Sequence, residues 1–101
     1  MGMDLAPINP SADAPRDEHN EPIWGHYNWL GWCWLITHLT EWNIPHPSLS
    51  GFNDGDEIPD AECKAIADAL EAHLDELSPE HREWTLPKIA LWRTCGGYNQ
   101  F

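Results

Sequence analysis

Seven tryptophans fall between Trp24 and Trp92 of this 101-residue chain, three of them (Trp29, Trp32 and Trp34) within six positions. A chain of this length has room for one domain. If the first twenty or so residues stay outside it, the remaining ~80 bury only about 60–65% of the surface they expose when unfolded. Such a domain needs large side chains, a covalent staple or a partner to be stable. Each indole can bury roughly 150–250 Å². The sequence therefore predicts a tryptophan-rich core.

The cysteines do not offer the staple. Cys33, Cys63 and Cys95 are odd in number, widely spaced and free of any CxxC pair. The opening residues MGMDLAPINPSADAPRDEHNEPI show neither a basic start nor an apolar run, so no secretory or transit signal is legible. Reduced thiols and a cytoplasmic protein are expected. The longest apolar stretch, residues 29–36, is far shorter than the roughly 18–20 residues of a membrane span.

Residues 1–22 hold Pro7, Pro10, Pro15 and Pro22 among acids, Ala and Asn, without periodicity. They read as a disordered acidic tail ahead of a single helical domain over residues 23–101. Residues 25–42 predict the first helix: at about 100° per residue, Trp29, Trp32, Leu35, Ile36, Leu39 and Trp42 share a stripe. Leu30 and Trp34 lie on the opposite side, so this helix is either covered twice or exposes them. Pro45 and Pro47 stop it, and NIPHPSLSGFNDGDEIP reads as a turn-rich connection built on Asn53-Asp54-Gly55-Asp56. Short strands at 50–52 and 57–58 would fit beside that turn.

Residues 60–77 give the clearest helix, with Cys63, Ile66, Ala67, Leu70, Leu74 and Leu77 in one stripe. Lys64 is placed to pair with Asp68 on its outer face. Ser78-Pro79 marks another start, Pro87 predicts an interruption, and a last helix runs from Pro87 to a left-handed cap at Gly96-Gly97. Residues 98–101 read as an extended end. The fold expected is all-α: a small bundle of three to four short helices, with a minor two-stranded element at most.

Three patches resemble a family of small uncharacterised bacterial and phage-type proteins. They are the Trp-rich helix, the run FNDGDEIPDAECKAIADALE and the ending IALWRTCGGY. The resemblance covers about two-thirds of the chain and implies a fold. It carries no established activity, though an association with mobile elements favours an inhibitor or interaction protein.

The formal charge is −12, and its placement is uneven. Residues 23–40 carry no charge, residues 58–83 hold eight acids against Lys64 and Arg82, and residues 84–101 carry only Lys88 and Arg93. Nucleic acid and anionic membrane surfaces prefer the opposite sign. A basic protein is the natural complement.

Chemistry-bearing arrangements are few. With Gly55 at the sixth position of a calcium loop, Phe52 and Ala61 fall on ligand positions, so that register fails. His38 and Glu41, joined by His46, form the one candidate transition-metal group, without standard ligand spacing. A hydrolase would need Cys or Ser brought to a histidine and an acid, and Cys63 falls on a core face where thiols are inert. No cofactor is implied. The leading expectation is a non-catalytic protein-binding module or small inhibitor. It would use the acidic face Asp68, Glu71, Asp75 and Glu76, continued by Glu80 and Glu83, with Leu30 and Trp34 as an apolar anchor. Metal binding and a small hydrolase are the alternatives, and the Trp34 patch also admits a homodimer.

Overall fold

The computed structural model describes residues 2–51 and 54–101. Its elements, in chain order, are β1 (Gly2–Pro7), β2 (Gly25–Asn28), α1 (Trp29–Glu41), β3 (Glu57–Ile58), α2 (Asp60–Ala72), a 3-10 turn (Leu74–Glu76), α3 (Pro79–Thr94) and β4 (Tyr98–Gln100). Three helices pack on a four-stranded antiparallel sheet of order β2-β1-β4-β3. The all-α expectation is thus corrected to a small α/β fold.

The sheet escaped notice because its strands are only two to six residues long and two of them lie at opposite ends of the chain. In β1 the alternation is brief: Met3 and Leu5 are fully buried and Asp4 faces out. Amid prolines and acids, so short a period-two signal reads as tail. Gly2–Pro7, expected to be disordered, instead occupies an interior position, pairing with β2 through Met3 and Tyr27 and with β4 through Leu5 and Gln100. Residues 8–11 then run along the end of α3. Ile8, Asn9 and Ser11 donate their backbone N–H groups to the carbonyls of Gly97, Cys95 and Thr94 at 2.9–3.1 Å. These acceptors include two left over at the helix end.

The first helix begins later than expected because Gly25–Asn28 is extended, with Gly25 and Tyr27 buried and His26 and Asn28 exposed. Asn28 caps α1 by accepting from the Gly31 N–H at 2.7 Å. The helix ends at Glu41, ahead of Asn43 in the left-handed region. In α2 the stripe Cys63, Ile66, Ala67 and Leu70 is buried as expected. The helix stops at Ala72, however, and Leu74 belongs to the 3-10 turn.

Pro87 does not interrupt α3, which runs unbroken from Pro79 to Thr94. An interior proline typically costs about 3 kcal/mol. Burial of Ile89 and Trp92 on the same helix works against that cost. Ser78 caps its start, its Oγ accepting from the His81 N–H. At the other end Gly96 and Gly97 both take positive φ, 67° and 103°, as the Gly-Gly pair predicted.

Two tryptophans, Trp32 and Trp92, are fully buried; Trp29, Trp34, Trp42 and Trp84 pack half-buried around them. Tyr27 is their hub. Its ring lies 5.5 Å from Trp32, 5.6 Å from Trp84 and 6.3 Å from Trp92, and its hydroxyl accepts from the Trp92 indole N–H at 2.8 Å. The connection before β3 is held by Gln100, which is fully buried. Its Oε1 accepts from the Ser50 N–H at 2.8 Å, and its Nε2 donates to the carbonyls of Ser48 and Asp56 at 2.8 and 3.2 Å. Of the turn expected here, Phe52 and Asn53 lie outside the described residues, as does part of the strand expected at 50–52. No helix among the described residues is long and apolar enough to cross a membrane.

Candidate functional site

The first turns of α1 and α3 face each other across a groove of about 390 Å³, lined by Asn28, Leu30, Gly31, Trp34, Glu80, His81 and Trp84. Leu30 points away from the core and is 84% exposed. Trp34 forms the groove wall and is gripped on several sides. It stacks on His38 (4.1 Å, 28°) and on His81 (5.3 Å, 6°), and meets Trp84 edge-on at 5.5 Å. The stack continues along α1: His38 touches Trp42 at 5.4 Å, and Trp42 lies flat on His73 at 4.1 Å.

Trp34, His38 and Trp42 are spaced four apart, so they share one helical face. His73 from the end of α2 and His81 from α3 cover that face, which resolves the two-sided apolarity of the first helix. Hydrogen bonds orient the imidazoles. His38 Nδ1 donates to the Trp34 carbonyl at 2.9 Å, and His73 Nδ1 meets Glu76 Oε2 at 2.6 Å. Ser78 Oγ lies 3.2 Å from His81 Nδ1. Trp34 is thereby fixed in one pose. Its exposed edge, Leu30 and Trp84 offer an apolar seat with the Glu80 carboxylate beside it.

The acidic face of α2 is not a uniform negative surface. Arg93 reaches across from α3 and binds Asp68 at 2.8 Å and Glu71 at 3.3 Å. The hydrogen bond donated to Asp68 holds the guanidinium pKa above its ordinary value, against desolvation and with help from Glu71. Lys64 pairs with Asp60 at 2.8 Å and not with Asp68; that hydrogen bond raises the ammonium pKa. Glu76 is engaged by His73, and Asp75 is exposed beside it on the 3-10 turn. The four expected acids therefore divide, two sharing the single charge of Arg93 and two at the 3-10 turn.

His38, Glu41 and His46 do not form a ligand set. Among the described residues no group of three or more His, Cys, Asp or Glu is placed to hold a metal ion. His46 Nδ1 instead donates to the Ile44 carbonyl at 2.8 Å. Cys63 and Cys95 are buried, and the interaction between the two thiols raises the Cys63 pKa and lowers that of Cys95. Their sulfurs also approach the carbonyls of Ile58 and Trp92. Cys33 is exposed on α1.

Sequence reasoning found Leu30 and Trp34 and missed His81 and Trp84, which complete the groove. The signal was present. Ser78-Pro79 placed a helix start, and the next apolar residue in the first two turns is Trp84. What periodicity does not give is that this turn lies against α1. Compared with models of protein families, with curated proteins and with solved structures, the chain matches none.

Proposed function

We propose that the protein is a non-catalytic protein-binding module whose anchor is the groove between α1 and α3. The carrying observation is Leu30, 84% exposed beside the half-buried Trp34 and Trp84. A large aliphatic side chain left in water next to a preformed aromatic groove is the usual mark of a partner surface. Charge supports a basic partner: Glu80 lines the groove, Glu83 is exposed on the same helix, and the whole chain carries −12. The segment bound would place an apolar side chain against Trp34 and Leu30 and a Lys or Arg beside Glu80.

Leu30→Asp tests the anchor and Glu80→Lys the rim, each against a partner identified by affinity capture with the wild-type protein. Loss of about tenfold or more in affinity with Leu30→Asp, plus weakening by salt, is expected. Binding that survives both substitutions and is indifferent to salt overturns the reading. Asp75→Lys is a better probe of the acidic face than Glu71, because reversal at Glu71 also breaks the Arg93 bridge. Self-association through Leu30, visible as a dimer in sedimentation that Leu30→Asp abolishes, would replace the basic partner with a second copy.

A further inference from the structure

A second, smaller cavity of about 190 Å³ lies between β2 and the C-terminal half of α3, lined by Leu5, Tyr27, Lys88, Leu91, Trp92 and Tyr98 among others. None of the chain's seventeen acids lines it, although the lining His26 holds the Asp4 carboxylate at 2.6 Å. Its cation is the exception among the basic residues. Lys64 and Arg93 hold carboxylates, and Arg16 and Arg82 donate to backbone carbonyls. Lys88 has no carboxylate and no hydrogen-bond acceptor among the described residues. Its Nζ lies 4.2 Å over the Trp84 ring and 5.4 Å over the Tyr27 ring.

Two phenols stand beside it. The Tyr27 oxygen already accepts from Trp92, which leaves its O–H to donate. Burial pushes the pKa of both Tyr27 and Tyr98 upward, so both remain protonated donors across the physiological range. An ammonium without a carboxylate and phenolic O–H groups set among aromatic walls, with Asp4 engaged by His26, suit an anionic guest.

We propose that this cavity binds a small carboxylate attached to a single ring or short apolar group, with Lys88 as the charge partner of the carboxylate. The volume fits a ligand of that size: it equals about six times the ~30 Å³ that one water occupies in the liquid. The Tyr27, Trp92 and Tyr98 rings would hold the apolar part, and the ammonium would exchange weak ring contacts for an ion pair in a half-buried setting. Burial already lowers the Lys88 pKa, which an arriving anion would reverse.

Benzoate is the probe, with benzamide as its neutral counterpart, measured by calorimetry or ligand-detected NMR on the full chain. Physiological ionic strength is used so that the −12 charge is screened within about 8 Å. Benzoate is expected to bind at least about tenfold more tightly than benzamide, and Lys88→Met to remove that preference while Lys88→Arg retains it. Benzoate affinity is further expected to fall as pH rises towards the ordinary lysine value of 10.5. Should Lys88→Met unfold the protein, Leu91→Trp, which fills the cavity from its rim, provides the second variant and should abolish uptake. Equal binding of the two probes, no benzoate binding at about 10 mM, or unchanged binding in a folded Lys88→Met or Leu91→Trp protein overturns the proposal.

Discussion

Two buried polar residues behave oppositely. Gln100 is fully buried and satisfied, both amide hydrogens donated and its oxygen accepting. Gln100→Ala removes the side-chain hydrogen bonds to the Ser48 and Asp56 carbonyls and to the Ser50 N–H, while Asp56 keeps the Gln100 backbone N–H. A loss of about 2–4 kcal/mol in urea unfolding is expected, with faster proteolysis within that connection. Thr85 is also buried, but its Oγ1 has no partner among the described residues. Thr85→Val keeps the shape and removes the unpaired hydroxyl, so a gain of about 1 kcal/mol is expected by the same measurement. Neither role was legible in the sequence. Gln100 stands in a terminal YNQF that looks unremarkable until it reaches residues some fifty positions away. By contrast Leu30 and Trp34 were legible, because helical periodicity alone sets them opposite the core stripe.

Among the elements, those with local signals were read well and those built from distant partners were not. The interior of α2, the Ser78 cap and the Gly-Gly end of α3 are set by neighbours within a few positions. The strands are not, since β1 becomes a strand only by pairing with β2 and β4. Pro87 misled because a rule about isolated helices was outweighed by the buried face of α3. The junction after α3 makes a sharp test. A Cβ on Gly96 would stand 2.0 Å from the Asn9 carbonyl oxygen, in a backbone conformation with φ 67°. Gly96→Ala should therefore cost at least about 2 kcal/mol. The matching change at Gly51, where a Cβ would meet nothing within 4 Å, should shift stability by less than about 0.5 kcal/mol. Equal thermal midpoints for the two variants would show that the 8–11 segment does not lie against the end of α3.

At the scale of the whole molecule, the two tyrosines report on integrity. Both phenols are buried and their pKa values raised by that burial, above the ordinary 10.0. The unfolded chain gives up two protons above pH ~10 that the folded chain retains. Their contribution is complete below that pH and is lost as pH rises towards the folded values, by about 3 kcal/mol per pH unit for the pair. Phenolate absorbance should consequently appear in one cooperative step coincident with loss of near-UV dichroism, and not as a gradual titration. Two separate tyrosine transitions in a still-folded protein would contradict the shared Tyr27–Trp92–Tyr98 core. The sheet order has a consequence for synthesis as well. Leu5 is made before all three helices, and its partner Gln100 only after them. Until then the emerging chain carries β1 with one edge unpaired and Met3 and Leu5 uncovered. Chaperone demand should thus be greatest just before β4 is made, and chains truncated ahead of β4 should be degraded far faster than chains that contain it.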